Sequence, residues 1–138
     1  MNIWIVTAGE PLPTDNVKSR LHRSGQFSSK LSKRHNLVWW TTCFDHVSKS
    51  HRSDQDLEIT INKNFKIHAL KSHGYKRNIS LARFYDHWNL SKRFKKETEN
   101  IDAPDIIVAA YPTIDLCYES VKYGIINEVP VVIDVRDL

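Results

Sequence analysis

The stretch that decides the fold runs from Pro104 to Val135 and reads PDIIVAAYPTIDLCYESVKYGIINEVPVVIDV. Its first seven residues, 104–110, are almost entirely apolar, which predicts a strand buried on both faces of a parallel sheet. Apolar side chains then favour a helix from Ile114 to Tyr123, with Gly124 as the predicted C-cap. The apolar run 129–135 predicts another buried strand, so the stretch forms a strand–helix–strand unit.

The same alternation begins near the amino terminus. The continuous apolar run Ile3–Val6 predicts a central strand, and a helix is expected from about Val17 to Lys33. Residues 37–42 are rich in aromatic and β-branched side chains, which favour a second strand. The sequence therefore predicts one α/β domain over residues 1–138, Rossmann-like and doubly wound, with a mostly parallel sheet and helices on both faces.

The middle of the chain is predicted in less detail. Residues 45–55 are polar and are expected to form an exposed loop. Two alternating runs, 57–61 and 65–70, are interpreted as a hairpin near a sheet edge. Ser80 is a suitable N-cap for a helix from Leu81 to about Glu97.

Composition places the chain among ordinary globular domains. Its 138 residues are 41% hydrophobic and 26% charged, with a net charge of +4 that permits an anionic partner without requiring one. Cys43 and Cys117 are far apart in the sequence and are interpreted as free thiols in a reducing cytosol. The amino-terminal segment lacks a basic leader and a cleavage site, so we expect no signal peptide.

Candidate binding residues follow the predicted strands, because parallel strands in such sheets bind ligands beyond their carboxyl ends. Arg136 has several rigid donors that can offset phosphate or oxyanion charge, and Asp137 can orient it or accept from a hydroxyl. An ion pair that only fixes the loop is the alternative for these two residues. Tyr111 leaves another strand at the same edge, and the nearby Thr113 can instead cap the next helix.

The loop after the first strand is the second candidate. Gly9 lacks a Cβ and lets the backbone approach a ligand closely. Glu10 and Asp15 can bind hydroxyl groups, and Arg20 can meet a phosphate near a helix start. A solvated connecting loop is the alternative interpretation.

Several passages resemble one enzyme family. Residues 131–138, VVIDVRDL, resemble the strand and exit motif D/E-V-R-D-L-W-P in the amino-terminal domain of family 4 glycosyltransferases with the GT-B architecture. Residues 104–112, PDIIVAAYP, are similar to that family's PDVIIASSP strand, and residues 74–83, GYKRNISLAR, to a segment of some bacterial members. The glycine-rich first loop of many relatives is reduced here to Gly9.

The resemblance implies the acceptor-side domain of an enzyme that moves a sugar from a nucleotide-sugar donor to a polysaccharide or lipid-linked acceptor. The donor-binding domain is absent from these 138 residues, so we expect a fragment that is inactive alone. The resemblance implies no metal and no cofactor in this domain, and a cytoplasmic enzyme, peripheral at the inner membrane face. The resemblance also implies that Arg136 lies near the transferred group. With the candidates taken from the strand ends, the predicted site residues are Arg136 and Asp137 for catalysis, and Gly9, Glu10, Asp15, Arg20 and Tyr111 for the acceptor.

Other patterns in the sequence give weaker evidence for a function. Asp54-Gln55-Asp56 matches a metal-binding D-x-D but lies in a polar loop, and His46, His51, His68 and His73 lack further ligands, so these are interpreted as surface residues. The basic helix 83–96 either contacts anionic lipid, helped by Trp88 and Phe94, or is simply solvated. A non-enzymatic flavodoxin-like domain and a nucleic-acid-binding α/β module remain alternatives, although no nucleic acid is expected as partner.

Overall fold

A computed structural model describes residues 1–15 and 20–136 of the chain. These described residues form three helices and eight strands, and the longer elements follow the predicted order. In chain order they are β1 (Asn2–Val6), α1 (Arg23–Leu31), β2 (Asn36–Thr42), β3 (Phe44–Asp45), β4 (Ser50–His51), β5 (Leu57–Asn62), β6 (Phe65–Leu70), α2 (Leu81–Thr98), β7 (Ile106–Tyr111), α3 (Ile114–Ile126) and β8 (Val131–Val135).

Six strands form one sheet in the order β5-β6-β2-β1-β7-β8. Strand β1 pairs in parallel with β2 on one side and with β7 on the other, so that Ile5 lies between Trp39 and Val108. Strands β6 and β8 extend the parallel pairing outward, and β5 runs antiparallel to β6. The predicted α/β class with a mostly parallel sheet is confirmed.

The core lies on both faces of this sheet, because successive side chains of a strand point to opposite faces. Trp4 and Val6 pack in one cluster with Leu90 of α2 and Leu116 of α3. Ile5, which lies between them in the sequence, belongs to a second cluster, where Leu31 of α1 packs. Burial of both faces explains why β1 is continuously apolar.

Three aromatic rings form the centre of the first cluster. The ring centroid of Trp4 lies 5.6 Å from Trp40 and 6.3 Å from Phe94, and Trp40 lies 5.6 Å from Phe94. All three pairs meet edge to face, an arrangement that the quadrupoles of aromatic rings favour. Phe94 is only 1% exposed, so its predicted role in contacting lipid is wrong.

Two boundaries in the first half differ from the prediction. Helix α1 begins at Arg23 rather than near residue 17, and residues 16–19 lie outside the described part of the chain. The predicted exposed loop 45–55 contains the short antiparallel ribbon of β3 and β4. The hairpin of β5 and β6 is confirmed with β5 at the sheet edge, but β6 lies inside the sheet because it also pairs with β2.

The end of α3 also differs from the prediction. The helix continues past Gly124 to Ile126, so Gly124 is not its C-cap. A Cβ at Gly124 would lie 2.3 Å from Val131 Cγ2 and 2.6 Å from the carbonyl oxygen of Val129. This glycine therefore permits the close approach of α3 to the start of β8.

Strand β8 is less buried than its sequence suggests. Val132 and Ile133 are each 49% exposed. Within the described residues β8 pairs with β7 alone, which makes it an edge strand. The predicted strand is therefore confirmed, but the prediction that it is buried was wrong.

Replacing Gly124 by alanine tests the helix–strand contact. Alanine normally stabilises a helix interior by about 1 kcal/mol over glycine. Here the added methyl group has no space, and we expect a net loss of about 1–3 kcal/mol in the free energy of unfolding. Urea unfolding of Gly124→Ala measures this, with Lys122→Ala on the exposed side of α3 as control. An unchanged or raised urea midpoint for Gly124→Ala would contradict the packing described.

Candidate functional site

A pocket of about 260 Å³ lies where the parallel strands end at their carboxyl sides. The segments that follow β1, β2, β7 and β8 each contribute to its wall, because parallel strands finish at the same edge of a sheet. Helix α2 closes the pocket on another side. The residues that line it are Ala8, Gly9, Glu10, His22, Thr42, Phe44, His46, Tyr75, Arg83, Asp86, His87, Pro112, Thr113 and Arg136.

Three of the predicted site residues meet in this pocket, namely Gly9, Glu10 and Arg136. Tyr111 is the last residue of β7 and pairs with Val135, but it does not line the pocket. The next two residues, Pro112 and Thr113, do line it. The two remaining described candidates, Asp15 and Arg20, do not line the pocket, and Asp137 lies outside the described residues.

The buried carboxylate of Glu10 connects three parts of the fold. Glu10 is 5% exposed, and its Oε1 accepts a hydrogen bond from Nη1 of Arg136. Its Oε2 accepts from the backbone N–H of Ser24 in the first turn of α1, at 3.1 Å. A carboxylate at a helix amino terminus is favourable, because the first N–H groups lack partners within the helix. Glu10 thereby joins the loop after β1 to α1 and to the end of β8.

Arg136 makes further contacts from the same position. Its Nη2 donates to Ser24 Oγ at 2.6 Å, and its Nε donates to Asp134 Oδ2 at 3.0 Å. Asp134 also accepts from Nη1 of Arg23 at 2.5 Å. Arg136 therefore lines the pocket and is also a member of an ion-pair network.

Asp15 is engaged elsewhere in the structure. Its two carboxylate oxygens accept hydrogen bonds from Arg52 at 2.6 Å and 2.7 Å, and one of them also accepts from the backbone N–H of Leu12. Burial alone would raise the pKa of Asp15, but these hydrogen bonds outweigh it and hold the pKa below its ordinary value. The carboxylate holds the loop 12–15 against Arg52 rather than facing the pocket. Arg20 is exposed to solvent.

The hydrogen bonds of His46 define its tautomer. Its Nδ1 lies 2.6 Å from the hydroxyl of Tyr75 and 3.2 Å from Nζ of Lys49. An ammonium group can only donate, so Nδ1 accepts and the ring proton of the neutral imidazole sits on Nε2. Burial lowers the pKa of His46, and the charges of Lys49 and Arg83 lower it further. His46 is therefore a neutral ring near pH 7 that offers an N–H group.

His87 is a second neutral imidazole in the same pocket. Burial, followed by the positive charge of Arg83, lowers the pKa of His87 despite the opposing charges of Asp86 and Asp115. Asp86 is 2% exposed, and its Oδ1 accepts from the backbone N–H of Gly74 at 2.6 Å. Gly74 has a φ of +76°, a conformation that favours glycine, so the turn before α2 depends on it.

Sequence reasoning missed most of the wall opposite Arg136. It interpreted His46 as a surface residue, whereas His46 lines the pocket beside Tyr75. It treated α2 as a basic helix and did not place Arg83 or His87 near the strand ends. The available signal was the turn 74–80, whose glycine and Ser80 cap fix where α2 begins.

No protein-family model matches the chain, and no curated protein matches it either. Among the residues that the structure describes, no three His, Cys, Asp or Glu side chains are grouped to hold a metal ion. The pocket offers guanidinium and imidazole donors, while Glu10 and Asp86 already accept hydrogen bonds from the protein. Such a pocket suits a polar ligand that carries hydroxyl or phosphate oxygens.

Replacing Glu10 by glutamine tests the connection between α1, β1 and β8. The change removes a buried charge that faces Arg136, and we expect a loss of about 1–3 kcal/mol in the free energy of unfolding. The matched control is Glu58→Gln, which removes an exposed pair with Lys66 and is expected to cost at most about 1 kcal/mol. Urea unfolding measures both, and equal losses would contradict the role given to Glu10.

The two neutral histidines predict a pH dependence of stability. Because their pKa values in the folded state lie below the ordinary 6.5, the unfolded chain binds more protons as the pH falls. Stability should therefore decrease from about pH 7.5 to about pH 5.5, before the carboxylates titrate. Each of His46→Gln and His87→Gln should flatten this slope in urea unfolding. His22→Gln is the control, and a slope unchanged by both test variants would contradict the account.

Proposed function

We propose that the chain is the acceptor-side domain of a glycosyltransferase, which moves a sugar from a nucleotide-sugar donor to a polysaccharide or lipid-linked acceptor. The observation that carries the proposal is the pocket at the carboxyl ends of the parallel strands, where Gly9, Glu10 and Arg136 meet. The sequence predicts all three as site residues from their places after the strands, and the resemblance to family 4 glycosyltransferases implies that Arg136 lies near the transferred group.

The strand order supports a Rossmann-like, doubly wound classification within this proposal. The chain leaves β1 to build β2 and β6 on one side, and later adds β7 and β8 on the other. The order therefore reverses between β1 and β7, and ligands of doubly wound sheets bind at such a reversal. Gly9 and Glu10 follow β1, and Pro112 and Thr113 follow β7, so the pocket lies at this position.

In this proposal the residues of the pocket position the acceptor and stabilise charge. Arg136 is held by Glu10 and Asp134, so its guanidinium is oriented before a ligand arrives. Such preorganisation lets a donor stabilise charge that develops on a departing diphosphate. Asp137 would assist Arg136, and Pro112 and Thr113 after β7 would shape the acceptor side of the pocket. The donor nucleotide would be held by a separate carboxy-terminal domain, without a metal.

We also propose a peripheral contact with an anionic membrane at its cytoplasmic face. Leu81 is 87% exposed and Trp88 is 48% exposed on α2, beside the basic residues of that helix. Aromatic and basic side chains together favour the lipid interface. Within residues 1–15 and 20–136, no helix combines the length and the apolar character needed to cross a bilayer.

A nucleic-acid-binding module is the alternative that α2 could serve. Two of the basic side chains in and beside this helix are already paired, since Arg93 binds Asp56 at 2.6 Å and Lys71 lies 3.9 Å from Asp54. These pairs reduce the continuous positive surface that phosphate backbones require. The contacts therefore weaken this alternative.

Replacing Arg136 by glutamine tests the proposed function. The native gene or a variant is introduced into cells that lack the gene, and membranes are prepared from them. Transfer of labelled sugar from nucleotide donors is then measured in these membranes. We expect the native gene to restore transfer and Arg136→Gln to reduce it at least about tenfold. Lys63→Gln, at an exposed position in the turn between β5 and β6, should leave transfer unchanged. Equal sugar incorporation with and without the native gene, for every donor tried, would refute the proposal.

A further inference from the structure

A second cavity of about 260 Å³ adjoins the pocket at the strand ends. The two cavities share three wall residues, Arg83, His87 and Pro112. The second cavity lies between the first turns of α2 and α3, and we call it the apolar groove. Its remaining wall residues are Asn78, Ile79, Phe84, Ile114 and Asp115. The pocket and the groove therefore lie side by side, and we call the two together the depression.

The groove carries large apolar side chains that the described part of the chain leaves open to solvent. Ile79 is 91% exposed, Phe84 is 67% exposed and Ile114 is 60% exposed. Covering such side chains is favourable in proportion to the apolar area removed from water. Single exposed apolar residues are ordinary, but three around one cavity indicate a binding surface.

A positive charge stands where the groove meets the pocket. Arg83 donates from Nη1 to the backbone oxygen of Asn78 at 2.8 Å, which holds the guanidinium at this position. Lys49 donates to the side-chain oxygen of Asn78 at 2.5 Å, so a second cation lies nearby. Among residues 1–15 and 20–136, no carboxylate lies within 4.0 Å of the Arg83 guanidinium. Its remaining N–H groups can donate to an anionic ligand.

We propose that this depression binds an amphiphilic acceptor whose phosphate contacts Arg83. The hydrocarbon chain of the acceptor lies in the apolar groove on Ile79, Phe84 and Ile114. Its polar head enters the pocket, where His46 and His87 line the wall. The order of an apolar surface, a cation and a polar pocket matches the order of chain, phosphate and head in a lipid phosphate. This inference rests on the proposed function and narrows its acceptor to a lipid-linked one.

Calorimetric titration of the 138-residue chain with phosphates of different chain length tests the inference. The probes are inorganic phosphate, butyl phosphate and decyl phosphate, the last kept below its micelle concentration. Each methylene buried in the groove adds affinity, so decyl phosphate should bind at least about tenfold more tightly than butyl phosphate. Decyl glucoside, which has the same chain without the charge, should bind at least about fivefold more weakly than decyl phosphate.

Matched variants locate the two parts of the ligand. Ile79→Asn should weaken decyl phosphate at least about fivefold and leave butyl phosphate unchanged. Its control is Ile125→Asn, since Ile125 is 75% exposed on a different part of the surface. Arg83→Gln should weaken both alkyl phosphates at least about fivefold, whereas Lys96→Gln on the same helix should not. Because Ile79 is almost fully exposed, its replacement leaves the fold intact and keeps the test decisive.

Several outcomes would overturn the inference. Equal affinity for decyl and butyl phosphate would show that the groove does not bind the hydrocarbon chain. Equal affinity for decyl glucoside and decyl phosphate would show that Arg83 does not contribute to binding of the phosphate charge. Light scattering would show whether the chain self-associates. If decyl phosphate no longer binds under conditions where the chain self-associates, the groove is the contact surface for a second copy of the chain. These readouts need no sugar transfer, so a chain that binds lipid phosphate but supports no transfer would refute the proposed function alone.

Discussion

The hydrogen-bonded ion pair between Glu10 and Arg136 is the interaction on which the candidate site depends. It connects the loop after β1 to the residue after β8, although the two are far apart in the sequence. Glu10 also completes the first turn of α1 through Ser24, so a single buried carboxylate sets the relative position of three elements. A buried charge is costly unless it is paired and hydrogen-bonded. Breaking the pair would leave the Glu10 carboxylate buried without its partner, so the arrangement of the three elements is strongly favoured.

The opposite wall of the pocket follows a different physical rule. His46 and His87 are neutral because burial and neighbouring cations disfavour the charged imidazolium. Lys49 makes the tautomer of His46 definite, since it can only donate to Nδ1. One part of the wall thus carries the ion pair, while another carries two imidazoles that are neutral near pH 7 beside the charged guanidinium of Arg83.

The fold was largely predictable from the sequence, whereas half of the site was not. Continuous apolar runs identify β1 and β7, because strands buried on both faces need no polar positions. The residues Gly9, Glu10 and Arg136 could be placed at this edge of the sheet because they follow β1 and β8, whose apolar runs predict strands. His46 and Tyr75 could not, since their meeting depends on how the β3–β4 ribbon and the turn before α2 fold back over the strand ends. Such contacts depend on tertiary packing and leave no periodic pattern. Similarly, Gly124 matched a helix C-cap locally, but the close approach of Val131 decides its role.

A double-mutant cycle on Glu10 and Arg136 tests the central claim most directly. The free energy of unfolding would be measured for the native chain, Glu10→Gln, Arg136→Gln and the double variant. Residues that act as one buried pair should show a coupling free energy of about 1–3 kcal/mol. Losses that add to within about 0.5 kcal/mol would mean that the two residues act independently, and the pair would not hold the pocket together.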